Sequence, residues 1–139
     1  MEVIGIPGDK LRQMPIILEY FKEFTDNGAV NVSDMIGQVE NRDRQCWTII
    51  DELGTVRAVA LTRILTGNYK TCEITHLTGS GLKDWKSAFN EIEAWAKHLG
   101  CRRIQATARP GYAKIGRQFG LKLAHVILEK ELTNGTLAN

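Results

Sequence analysis

The chain has 139 residues, of which 43% are hydrophobic and 24% charged. That size fits one domain that buries a core without disulfides or a structural metal. The net charge of +2 lacks the basic excess that nucleic acid or an anionic membrane surface selects. Cys46, Cys72 and Cys101 are far apart and form no C-x-x-C pair, so they read as small buried apolar residues of a reducing compartment. The N-terminus MEVIGIPGDKLRQ has no basic stretch followed by a long apolar run. It predicts neither a signal peptide nor a membrane span, and hence a cytoplasmic protein.

A short strand is expected over residues 2–6, ended by Pro7-Gly8. Met14, Ile17, Leu18, Phe21 and Phe24 then recur at helical spacing. Pro15 suits the first turn of that helix, and Asp26-Asn27-Gly28 supplies its stop. A second helix is expected over residues 33–41, capped by Ser33 or Asn31, with Val32, Met35, Ile36 and Val39 inward. The period then changes to two. Residues 46–51, 56–64 and 71–78 predict three strands, joined by turns at 52–55 and 66–68. Alternation sets Val56, Ala58, Ala60, Thr62 and Ile64 on one face, and Arg57, Val59, Leu61 and Arg63 on the other.

Gly79-Ser80-Gly81 leads into the clearest helix, with Trp85, Ala88, Phe89, Ile92, Trp95, Ala96 and Leu99 on one stripe. Gly100 stands where a C′ glycine ends such a helix. A strand over 103–108, a helix over 110–119 stopped by Gly120, and a last strand over 123–132 complete the order β-α-α-β-β-β-α-β-α-β. Residues 1–132 are expected to form one domain, with 133–139 as a frayed tail. The three consecutive strands predict an antiparallel meander. The strand–helix–strand unit over 71–108 predicts a right-handed crossover with parallel strands.

This order resembles that of the GNAT (GCN5-related N-acetyltransferase) superfamily. Glu73-Ile74-Thr75-His76-Leu77 is similar to the family's fourth strand, E-I-x-x-L, and Gly79-Ser80-Gly81 to the glycines of its Q/R-x-x-G-x-G/A loop. Residues 114–121 (KIGRQFGL) are similar to its closing helix, Gly-Phe pair and strand. The resemblance covers almost the whole chain as a layout. It implies an α/β fold: a mixed sheet with an antiparallel meander, one parallel β-α-β unit and helices on both faces. It further implies acyl transfer from acetyl-CoA to an amine acceptor, with no metal, and allows a homodimer.

A glycine turn before a helix leaves free backbone N–H groups beside the positive end of the helix dipole, which suits phosphate. The resemblance places the coenzyme pyrophosphate there, on Leu77, Thr78, Gly79, Ser80 and Gly81. The loop is shortened. Its opening Arg or Gln would fall near His76–Thr78 and is absent, and Lys83 stands just beyond as a substitute phosphate partner. Arg102, Arg103 and Arg109 flank the fifth strand and are candidates for the coenzyme's 3′-phosphate or an acidic partner, with Arg109 the one taken as cofactor-binding.

Transfer to an amine needs a base and an acid for the leaving thiolate. The resemblance makes Glu73 the base. His76 is the alternative, set by alternation on the opposite face unless a bulge intervenes. The family's acid Tyr would fall at Gly116, and Tyr112 one turn earlier is the candidate. His98 sits in the last turn of the long helix, where a cation favours the dipole. His125 reads as structural, and no His, Cys or Asp cluster has metal spacing. The other reading is a GNAT-like binding or structural protein without catalysis, similar to short GNAT-like proteins that bacteriophages encode.

Overall fold

A computed structural model of the chain describes residues 2–24, 31–79, 82–107, 116–124, 128, 130 and 132, with the backbone alone at 82–84. Within them, β1 (Glu2–Ile6), β2 (Gln45–Ile50), β3 (Val56–Thr66), β4 (Lys70–Gly79) and β5 (Arg103–Ala106) form one sheet in that spatial order. The first four pair antiparallel, and β4 and β5 pair parallel. A 3-10 helix over Gly8–Gln13, then α1 (Pro15–Glu23) and α2 (Val32–Glu40), connect β1 to β2, and α3 (Leu82–His98) connects β4 to β5. The mixed sheet with its meander and single parallel unit is the expected α/β architecture.

Local chemistry sets the element ends. Pro15 opens α1, where its missing N–H costs nothing. The Asn31 side chain caps α2 by accepting from Ser33 N at 2.8 Å and Asp34 N at 3.3 Å, which settles the two candidate caps. Asp51 Oδ1 accepts from Leu53 N and Thr55 N, both at 2.9 Å, closing the β2–β3 turn as an Asx turn. At the end of α3, Gly100 has φ +84°. Its N–H reaches Lys97 O and that of Cys101 reaches Ala96 O at 2.9 Å, a Schellman closure that a Cβ at Gly100 would strain.

The sheet carries a separate apolar layer on each face. Ile6, Cys46, Val59 and Leu61 pack with Leu11, Ile17, Phe21, Met35, Ile36 and Val39 under α1 and α2. On the other face Ala60, Cys72 and Ile74 meet Phe89, Ile92 and Ala96 of α3, and Ile49 and Ala58 meet Ala88. Small residues on β3, Ala58 and Ala60, let α3 lie close to the sheet. Thr62 is fully buried yet satisfied, accepting from Trp47 Nε1 at 3.0 Å and donating to Gln45 Oε1 at 2.9 Å.

Several expectations change. The helix expected from Met14 onward is preceded by a 3-10 turn that buries Leu11. Val56 packs with the α1–α2 layer rather than with Ala58, because the β2–β3 register shifts between Ile49 and Ile50 and leaves Arg57 as an extra residue. Of the strand expected over 123–132, the described residues Leu123, Ala124, Leu128, Lys130 and Leu132 belong to no strand. Leu123, Leu128 and Leu132 are exposed, so no burial favours a ladder there. Of the helix expected over 110–119, Gly116 and Arg117 are helical and Gly120 closes the turn with φ +80°. The stop at 26–28 and the tail over 133–139 lie outside the described residues.

Two glycines separate packing from backbone effects. A Cβ on Gly79 would stand 2.4 Å from Ala58 Cβ and 3.1 Å from Ala58 Cα, whereas one on Gly37, inside α2, meets nothing within 4 Å. Gly79→Ala should therefore destabilise by about 1–3 kcal/mol through overpacking. Gly37→Ala should stabilise by about 0.4–1 kcal/mol through helix propensity and a less entropic unfolded chain. Urea unfolding of both variants against the parent chain checks the opposite signs.

Candidate active site

The site grows from one irregularity in β4. Arg63 pairs with Glu73 and Thr62 with Ile74, but Leu61 pairs with His76. Thr75 is thus an extra residue, a β-bulge. Opposed residues on antiparallel strands share a face. Leu61 and Arg63 lie on one face of β3, so the bulge brings Glu73 and His76 onto that same face, beneath α1 and α2. The two candidate bases, which alternation alone separates, are brought together. His76 also meets the Phe24 ring, with centroids 5.0 Å apart.

Thr75 joins the group through its hydroxyl. Thr75 Oγ1 donates to Leu61 O at 3.3 Å, accepts from Arg44 at 2.6 Å, and lies 2.9 Å from His76 Nδ1. With the hydroxyl proton directed at Leu61 O, Nδ1 of a neutral His76 carries the ring proton, and Nε2 is left as the basic nitrogen. This tautomer is assigned from the hydrogen-bond pattern. Burial first, then the positive fields of Arg44 and Arg63, hold the imidazole below its ordinary 6.5. His76 is thereby kept neutral near physiological pH, as a general base requires.

Glu73 is committed elsewhere. Its Oε1 accepts from Arg63 Nε at 3.1 Å and from Arg63 Nη2 at 2.9 Å. The Glu73 side chain is 13% exposed, that of Arg63 41%. Arg44 is anchored by the end of α2: its backbone N–H and that of Asp43 donate to Gln38 O, and its Nε donates to Gln38 Oε1. Burial, then the neighbouring Arg63, lowers the Arg44 pKa, and Glu73 raises it. Sequence reasoning missed Arg44, Arg63 and Thr75. Arg63 was within reach, because the turn after Thr66 sets it opposite Glu73. Arg44 precedes its strand and is placed only by the packing of α2.

The coenzyme residues divide. Leu77 is 36% exposed and pairs with Ala60. The Thr78 hydroxyl donates to the Glu23 carboxylate of α1, and Gly79 ends β4 against Ala58. Ser80, Gly81, Arg109 and Tyr112 lie outside the described residues, as does the side chain of Lys83, whose backbone is in the first turn of α3. His125 is likewise outside them, and His98 sits in the last turn of α3. Arg102 and Arg103 stack on the Tyr69 ring at 5.1 and 5.2 Å, which accounts for both without a ligand. Burial pushes the Cys46 and Cys72 thiols up to about 12, leaving them inert. Among the described residues no His, Cys, Asp and Glu group could hold a metal ion, and no helix is long and apolar enough to cross a membrane.

Beside the bulge the described ladder between β4 and β5 ends. The β4–β5 ladder runs from Thr71 with Arg103 to Ile74 with Ala106, and Thr107 N donates to Ile74 O. From Thr75 to Gly79 the described residues pair β4 with β3 alone.

A meander that ends in one parallel pair is a fold this chain shares with solved structures of acetyltransferases. Glucosamine-6-phosphate N-acetyltransferase from Arabidopsis thaliana superposes with a TM-score of 0.71 at 15% identity, over 94% of this chain and 97% of that one. Ribosomal-protein-alanine N-acetyltransferase from Brucella melitensis gives 0.67 at 7%, over 95% and 99%. An aminoglycoside acetyltransferase from an uncultured soil metagenomic sample, in complex with sisomicin, gives 0.66 at 10%, over 95% of each chain. No protein-family model matches the sequence, and no curated protein does.

The depressed His76 pKa has a sign. Between the lowered folded value and 6.5 the unfolded chain binds more protons, so stability rises with pH. The contribution is complete above 6.5 and is lost as pH falls through the folded value. Denaturant unfolding at a series of pH values should show this loss in the parent chain and a weaker slope in His76→Gln.

Proposed function

We propose that the chain is an acyl-CoA-dependent N-acyltransferase in which His76 is the base. The carrying observation is the coincidence of the bulge at Thr75 with the end of the β4–β5 ladder at Ile74. The edge of β4 from Thr75 to Gly79, beyond the described β4–β5 pairs, on this reading receives the amide groups of a pantetheine arm, with the reacting end beside His76. On this reading the backbone of Leu77, Thr78 and Gly79, with Ser80 and Gly81, receives the coenzyme at the start of α3, and Lys83 and Arg109 meet its phosphates. The thioester supplies the acyl group.

In the transfer the amine nitrogen bonds to the acyl carbon and the carbon–sulfur bond breaks. His76 Nε2 takes the amine proton, and the thiolate leaves as the thiol with a proton from Tyr112. Glu73, the base that the family resemblance implies, is already engaged by Arg63. Its work on this reading is to hold that guanidinium beside the site. A second reading, a GNAT-fold binding or structural protein, is favoured by the same ion pair and by the absent Arg or Gln near His76–Thr78.

Thermal melting separates the two. Acetyl-CoA at a hundred times Kd should add ~2.7 kcal/mol of stability, and an unchanged melting temperature at millimolar coenzyme overturns the enzyme reading. In a thiol-release assay His76→Ala should lower kcat by about 10²-fold or more, and Glu73→Gln by less. The reverse order would return the base to Glu73.

A further inference from the structure

The acceptor face of the site holds an unmatched positive charge. Arg44 is half buried, and its side-chain partners are the neutral Gln38 and Thr75. None of the ion pairs among the described residues includes it. Beside it, Arg63 faces Glu73. Among the described residues the carboxylate partner of Arg63 makes no hydrogen bond to Arg44, and both arginines act on His76 by their charge. Arg44 also helps to line a cleft of about 440 Å³, together with Arg42 and Gln45, and no carboxylate among the described residues lines that cleft.

A half-buried cation with only neutral partners is costly to keep. The protein nonetheless fixes Arg44 in place through the Gln38 side chain and carbonyl, so its position does not depend on a counter-ion. Arg63 remains 41% exposed although it is paired. Two arginines that present planar forks of donors on one face are suited to an oxyanion.

We propose that Arg44 and Arg63 form a subsite for an oxyanion, carboxylate or phosphate, carried by the amine that accepts the acyl group. The amine half of this inference rests on the acyltransferase reading. The oxyanion half rests on the geometry alone. Bound there, the anion lies beside His76 and holds the substrate by its charge, so that a neighbouring amine is presented to Nε2. The neutralised field would also raise the His76 pKa, because Arg44 and Arg63 both lower it in the unliganded chain.

That coupling supplies a readout independent of catalysis. The His76 ring is titrated by NMR, its signals identified with His76→Gln, with and without inorganic phosphate or glutarate. The subsite predicts a saturable upward shift of the His76 pKa in the parent chain. The shift should be lost in Arg44→Gln and partly restored in Arg44→Lys, with the fold of each variant confirmed by its amide spectrum. No shift, or the same shift in Arg44→Gln, overturns the subsite. A phosphate bound only at the start of α3 would give that second result.

Kinetics form the other arm. kcat/KM for O-phosphoethanolamine over ethanolamine, and for 4-aminobutyrate over propylamine, should exceed unity in the parent chain. Both ratios should shrink by roughly tenfold or more in Arg44→Gln, the loss expected for a charge-assisted hydrogen bond. If the anions shift His76 but no amine is acylated, the acyltransferase reading falls and the oxyanion subsite stands. If neutral amines are acylated as well as charged ones and His76 does not shift, the subsite falls and the acyltransferase reading stands.

Discussion

The extra residue in β4 is the constraint on which the site depends. Without the bulge at Thr75, the strict alternation of a strand would send His76 toward α3 and leave Glu73 alone beneath α1 and α2. With it, both requirements are met. Cys72 and Ile74 stay in the layer packed by α3, and His76 moves to the face of Leu61. The Thr75 side chain secures the irregularity. One hydroxyl binds a β3 carbonyl, an arginine and the imidazole. It satisfies groups that the broken ladder would leave short, and it selects the ring nitrogen that carries the proton.

The electrostatics follow from this geometry. Two arginines on the His76 face act with burial to keep the imidazole neutral. Burial is the larger cause, and the positive surround adds to it in the same direction. Glu73 tempers the field rather than cancelling it, because its carboxylate is bound to Arg63 and Arg44 keeps neutral partners. The cost of the unmatched charge falls on the folded state. A local cost of this kind is the usual mark of a site shaped for a ligand instead of for stability alone.

Much of the architecture was legible because its signals are local. The stripe from Ala88 to Ala96 buries against the sheet as its spacing predicts, and Gly100 ends the helix where the C′ rule puts it. The strand turns at Asp51 and after Thr66 needed only short-range chemistry. The misplaced features depend on register. Val56 changed face because Arg57 is an extra residue, and His76 changed face because Thr75 is. Neither residue carries a composition that marks a bulge; each appears only when two strands are paired. Arg44 was illegible for a different reason. It stands just before β2, and its role comes from Gln38 on α2 and Thr75 on β4, which are distant in the chain.

The proposed function divides the labour of the sheet. The coenzyme-facing groups of the proposal are backbone edges and glycines, which vary little with sequence. The groups beneath α1 and α2 are side chains on a fixed ladder, Arg63, Glu73 and His76, with Arg44 fastened from α2. A change at those positions alters charge while leaving the β3–β4 pairing intact. This explains how a chain at 15% identity or less to its structural neighbours keeps the frame. The frame is held by burial of Val59, Leu61, Ile74 and Ile92, which many apolar sequences satisfy. The face beneath α1 and α2 is held by specific hydrogen bonds, which few do. Any ligand chemistry particular to this chain is therefore to be sought in the arginines, and not in the fold.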